Sequence, residues 1–166
     1  MLGLPKLDRI DINILGQLQQ NSRLSNVDLA QAVGLSPSPC LARVKRLEKA
    51  GYITSYNARL NLGKLVDHIT VFTEVTLNDH RREDFVKFEA EIRKYDALKE
   101  CHLVSGGYDY LLKFVTRSVA RYQELMEHIL ERNIGVEKYF SYIVIKTVID
   151  RDNVLLKYLM ADERDE

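Results

Sequence analysis

The 166-residue sequence predicts an α+β chain, with a winged helix-turn-helix over residues 1–60 and a ferredoxin-like βαββαβ unit over residues 61–166. Three observations predict it. Apolar residues recur at helical spacing three times before Gly51. From Ile69 onward, strand-like alternation and helical spacing follow one another in the order strand, helix, strand, strand, helix, strand. Charge is divided between the two parts. The whole chain carries 24 basic and 24 acidic side chains, yet residues 1–60 hold 8 and 4 (net +4) and residues 61–166 hold 16 and 20 (net −4). Such asymmetry signals two jobs in one chain.

The first helix is set by Leu7, Ile10, Ile14 and Leu18, which fall on one face, with Asp8 as its cap and Asn21-Ser22 as its end. A short second helix runs from Ser25 or Asn26 to about Val33, and Gly34 breaks it in a left-handed conformation. The third begins around Ser36-Pro37-Ser38-Pro39, where Ser can cap and Pro fits the first turn, and stops at Gly51. Cys40, Val44 and Leu47 share its apolar back, while Ser38, Ala42, Lys45, Arg46 and Lys49 share its front. A helix, a short helix, a glycine turn and a helix with a basic front make the arrangement of a helix-turn-helix reader, whose front enters the DNA major groove. A basic face that is merely solvated is the plain alternative. The β-prone run Tyr52-Ile53-Thr54-Ser55-Tyr56 could form a small wing before a linker towards Asn61.

In the second part Ile69, Val71, Thr73, Val75 and Leu77 alternate with Thr70, Phe72, Glu74 and Thr76, which predicts a strand. Phe85, Phe88, Ile92 and Tyr95 predict a helix from Asp84. Strands are expected over Leu98 to Ser105 and Tyr108 to Thr116, with Gly106-Gly107 between them. Val119, Tyr122, Leu125, Met126, Ile129 and Leu130 predict a second amphipathic helix, and Val136 to Ile149 a last strand. Two helices cover one face of such a sheet, so the other face calls for a second subunit.

Composition excludes several classes. A hydrophobic fraction of 46% suits a globular chain and is too high for a disordered one. No apolar run approaches the roughly 18 residues of a membrane helix, and residues 1–6 lack the apolar core of a signal peptide. Cys40 and Cys101 have no spacing that suggests a disulfide framework, and both are expected in structural roles. His68, His80, His102 and His128 form no close ligand set with cysteine, so no metal is expected. No nucleophile stands beside a base in a recognisable motif, so the chain is not read as an enzyme. A cytoplasmic, nucleoid-associated protein without a membrane partner is the expectation.

The run from Asn26-Val27-Asp28-Leu29-Ala30 through Val33-Gly34-Leu35-Ser36-Pro37-Ser38-Pro39-Cys40, with Arg43 and Leu47, resembles the Lrp/AsnC family of transcription regulators, as does Leu7-Asp8-Arg9-Ile10-Asp11. Glu100-Cys101-His102-Leu103-Val104-Ser105-Gly106 and Tyr108-Asp109-Tyr110-Leu111-Leu112 resemble that family's ligand-domain signature. The resemblance spans about Leu7 to Ile149. It implies a winged helix-turn-helix joined to a ferredoxin-like ligand and assembly domain. It also implies double-stranded DNA as partner and homodimers that assemble to octamers or larger. The implied effector is a small amino acid, bound between dimers, that changes assembly or DNA affinity, with no other cofactor. A DNA-organising protein indifferent to metabolites, or a regulatory module of an enzyme, are the alternatives. Two departures stand out: Gly107 replaces an acidic residue frequent in relatives, and Val154, Leu155, Tyr158 and Leu159 suggest an extra helix before an acidic end.

Candidate DNA-binding residues are Ser36 and Ser38, near a helix N-terminus that attracts phosphate, and Lys45, Arg46 and Lys49 along the front. Arg43 borders the core face and either contacts phosphate or pairs with Asp11 or Asp28. Candidate effector residues are Ser105, Gly106, Gly107, Tyr108 and Asp109, with Tyr142 and Val144 closing a pocket. The glycines leave N–H groups open to a carboxylate, and Asp109 can accept from an α-ammonium. A plain glycine hairpin turn is the alternative there.

Overall fold

The computed structural model describes residues 6–150. They divide into two compact units, one ending at Arg59, to which Ile149 and Asp150 attach, and one spanning Leu60–Val148.

The first unit is built from α1 (Arg9–Gln20), α2 (Asn26–Val33) and α3 (Pro37–Lys49). Each boundary has a local cause. The Asp8 carboxylate accepts the Asp11 N–H at 2.8 Å while the Asp11 carboxylate accepts the Asp8 N–H at 3.1 Å, a reciprocal capping box. The Ser25 hydroxyl caps α2 by accepting the Asp28 N–H. Gly34 ends α2 at φ 71°, and the Leu35 N–H donates to the Ala30 carbonyl at 2.9 Å, closing the last turn. Ile14, Leu29, Ala30, Cys40 and Leu47 form the buried core, with Val44, Tyr52 and Ile53 packed on it.

No wing forms. Among the described residues, none of 52–61 lies in a strand. A strand needs a ladder partner, and the described residues of this unit offer the run none. Tyr52 and Ile53 are spent on the helical core instead.

The second unit opens with a 3₁₀ turn (Leu62–Lys64) and continues as β1 (Ile69–Leu77), α4 (Arg82–Ile92), β2 (Leu98–Leu103), β3 (Tyr110–Thr116), α5 (Val119–Glu131) and β4 (Val136–Ile143). The sheet is antiparallel throughout, in the order β2-β3-β1-β4. Val71, Thr73, Val75 and Leu77 of β1 and Tyr110, Leu112 and Phe114 of β3 are buried on one face with Phe88 and Ile92 of α4 and Tyr122, Met126 and Ile129 of α5. Thr73, the buried polar residue of this core, is satisfied by the Tyr122 hydroxyl at 2.7 Å, which also meets the Ser141 hydroxyl at 2.6 Å.

Four elements are shorter than the sequence pattern suggests. Helix α4 ends at Ile92, and Tyr95 lies in the following turn, its carbonyl accepting from Leu98 N–H. Strands β2 and β3 stop short of Ser105 and Tyr108 because the Val104 N–H to Asp109 carbonyl bond closes the hairpin. Strand β4 ends at Ile143 rather than Ile149: Val144 N–H still reaches the Thr70 carbonyl, but β1 begins at Ile69 and offers nothing further to pair with. The helix suggested by Val154, Leu155, Tyr158 and Leu159 lies outside the described residues.

Candidate functional site

On α3, Ser38, Ala42, Lys45 and Lys49 are exposed along one face, opposite buried Cys40 and Leu47. Lys45 and Lys49 have no ion-pair partner among the described residues. The two arginines behave differently. Arg43 donates to Asp8 at 2.6 Å and to Asp11 at 2.8 Å, and Arg46 donates to Asp11 at 2.5 Å. Asp28 is engaged by the Ser25 hydroxyl instead. The Asp11 carboxylate is buried (side chain 1% exposed) and therefore holds both guanidinium groups against α1. Arg46, expected at the front, is a structural ion pair here, and so is Arg43.

The start of α3 also departs from expectation. Ser36 is the N-cap residue but makes no side-chain cap, which leaves its hydroxyl available. Pro37 and Pro39 lack N–H groups, so of the first three helical residues only Ser38 carries a backbone donor. The phosphate attraction expected of the helix N-terminus is reduced accordingly. The Asn26 side-chain amide donates to the Pro37 carbonyl at 2.8 Å, tying the start of α2 to the start of α3.

The same cluster responds to acid. Accepting the Asp11 N–H, and then the Arg43 guanidinium, holds the Asp8 carboxyl below its ordinary value. A carboxylate depressed in the folded state contributes stability above its unfolded pKa and loses it as pH falls through the folded value. Thermal melts between pH 5 and pH 2 should therefore decline below about pH 4, and Asp8→Asn should flatten that decline. An equally steep acid limb in the variant would contradict this role.

In the second unit, Ser105, Gly106 and Gly107 are exposed in the β2–β3 connection, and an added Cβ at either glycine meets nothing within 4 Å. The two glycines sit in the turn of the β2–β3 hairpin, and neither has positive φ, so the turn does not use the left-handed conformation that favours glycine. Asp109 is already engaged. Its carboxylate accepts Leu77 N–H at 2.8 Å and faces His80 Nε2 at 3.0 and 3.1 Å. His80 is a member of this cluster that sequence reasoning missed, being 29 positions away with no spacing signal.

Within one chain Val144 is set away from the loop, and Tyr142 comes near it only at Tyr108. The register sets Tyr142 opposite Phe72 and Val144 beside Thr70, while Asp109 N–H meets the Val75 carbonyl. Phe72 and Val75 are three residues apart on β1, about 10 Å at roughly 3.3 Å per residue. Tyr142 instead donates to Glu74 at 3.2 Å. Partial desolvation and then the Glu74 carboxylate hold its phenol above the ordinary value, with Tyr108 adding to the effect. Phe72, Leu111, Phe140 and Tyr142 share the sheet face away from α4 and α5, with Phe140 57% and Tyr142 52% exposed. Of the cysteines, Cys40 is core as expected, whereas Cys101 is exposed. Among the described residues no His, Cys, Asp and Glu cluster could hold a metal, and no helix is long and apolar enough to cross a membrane.

A family model described as the Lrp/AsnC ligand binding domain matches residues 70–154, and one described as a winged helix-turn-helix DNA-binding domain matches residues 7–54. The chain belongs to the Lrp/AsnC family. It is 44% identical over 151 residues to the leucine-responsive regulatory protein of Salmonella typhimurium, covering 91% of this chain and 92% of that one. It is 46% identical over 143 residues to the transcriptional regulatory protein DoeX of Halomonas elongata, covering 86% and 90%. The crystal structure of a Neisseria meningitidis transcriptional regulator in complex with L-methionine superposes with a TM-score of 0.85 at 33% identity, over 93% of this chain and 99% of that one. This Lrp/AsnC chain is thus a DNA-binding transcription regulator rather than an enzyme, and residues 105–109 lie within its ligand-binding domain.

Proposed function

We propose that this regulator binds DNA through the exposed front of α3 and is modulated by an apolar amino acid bound at the β2–β3 loop. Residues 1–60 carry DNA binding and residues 61–166 carry effector binding and assembly. Ser36, Ser38, Lys45 and Lys49 touch DNA, while Arg43 and Arg46 hold α3 in place. The observation that carries this reading is the pair of unpartnered lysines on the face opposite Cys40 and Leu47. A carboxylate ligand is received by the open backbone of Gly106 and Gly107, and its ammonium by Asp109. Tyr142 and Val144 reach such a ligand from another subunit, and for Val144 the reason is distance: it lies beside Thr70, whereas its own loop meets Val75. The unpartnered sheet face of Phe72, Phe140 and Tyr142 is the dimer surface, and dimers assemble to octamers or larger on the nucleoid in the cytoplasm. The methionine complex of the Neisseria regulator and the name of the Salmonella relative support an apolar amino acid as effector.

One observation favours a second reading, a DNA-organising protein indifferent to metabolites: the Asp109 carboxylate is already occupied by Leu77 N–H and His80. Light scattering and DNA titration with each common amino acid at millimolar excess separate the two. The first reading expects at least one amino acid to shift mass and DNA affinity together, by linkage of about 1–3 kcal/mol. If none shifts either quantity or raises the melting temperature, the second holds.

A further inference from the structure

The front of α3 is not purely basic. Ala42 is exposed between Ser38 and Lys49, and Leu41 keeps 42% of its surface exposed on the shoulder next to Lys45. Leu41 is not among the residues that build or line the unit's core. A single exposed leucine elsewhere on a surface would need no explanation. Here it stands beside the residues that approach base edges.

The arginines sharpen the point. A guanidinium gripping guanine with two hydrogen bonds is the commonest specific contact in the major groove. Both guanidinium groups of α3 are turned onto Asp11. The first two turns of the exposed face therefore offer base edges a serine hydroxyl and hydrocarbon, with lysine ammonium groups further along. Thymine alone presents an apolar group in the major groove, its C5 methyl.

We infer that Leu41 and Ala42 are specificity residues that pack against thymine C5 methyl groups of the DNA half-site. This rests on the reading of α3 as the recognition helix. It adds a source of base discrimination that does not depend on hydrogen bonding.

The test uses the full chain and a duplex selected from a random pool. Each thymidine in turn is replaced by deoxyuridine, which removes the methyl and leaves pairing and phosphate charge intact. Wild type should lose affinity about four-fold at one or two positions per half-site, the transfer value of one buried methyl. Leu41→Gln or Ala42→Ser should bind the thymidine and deoxyuridine duplexes alike at the corresponding position, with an unchanged melting temperature and salt dependence. Equal wild-type affinity for all substituted duplexes, at a steep salt dependence, overturns the methyl contact and leaves the reader helix standing. A methyl effect that persists undiminished in both variants overturns the assignment to these residues. Failure to bind any duplex overturns the reader helix and this contact together.

Discussion

Replacing both Arg43 and Arg46 by alanine should destabilise the helical unit by about 3–5 kcal/mol, the usual cost of leaving a buried charge without its partners. The reason is an asymmetry of burial. Asp11 is fully buried, whereas the Arg43 and Arg46 side chains are 28% and 46% exposed. Removing the arginines strands a carboxylate that keeps only the Asp8 N–H as donor. Removing Asp11 instead leaves two guanidinium groups that water can reach, so Asp11→Ala should cost less than the double arginine change. The triple variant should be more stable than the double one, because it takes away the stranded charge. Chemical denaturation followed by circular dichroism measures all three. A double variant as stable as wild type, or a triple variant less stable than the double, would contradict the clamp.

Placing a charge on the unpartnered sheet face should separate the subunits. Phe140 pairs with Glu74 on the same face as Tyr142 and Phe72, and it is 57% exposed in the single chain. If this face meets its copy across a two-fold axis, Phe140→Asp places two carboxylates in one apolar contact, unpaired and desolvated. The mass by light scattering should fall to that of a monomer. DNA affinity should fall about 100-fold or more, since two linked reader helices gain that much over one. The fold of the chain should survive, because Phe140 contributes nothing to the core between the sheet and its helices. An oligomer of unchanged mass would show that another surface joins the subunits.

Much of this architecture is legible in the sequence because its causes are local. Asp8, Ser25 and Gly34 mark helix ends through groups within three or four positions, and β1 declares its buried face by strict alternation. What is not legible depends on residues far apart in the chain. Arg46 has the spacing of a surface residue, and only the packing of α3 on α1, 35 positions away, turns it to Asp11. Asp109 reads as an unoccupied acceptor until the chain brings Leu77 and His80 to it. The end of β4 and the lack of a strand over the described residues 52–61 share one cause, since a strand extends only where a neighbour offers a ladder. Sequence pattern reports the propensity of a segment and not the length of its partner. Cys101 is exposed, against expectation, because β2 is an edge strand, where a period of two does not guarantee burial.

The salt dependence of DNA binding tests the central claim, that the lysines of α3 and not its arginines face the phosphates. Each phosphate that is no longer neutralised should change the slope of log affinity against log salt by about 0.9. Lys45→Ala with Lys49→Ala removes two lysines from each of two subunits, so the slope should become shallower by roughly 3–4 at an unchanged melting temperature. An unchanged slope in that variant would contradict the assignment of these lysines to the phosphates.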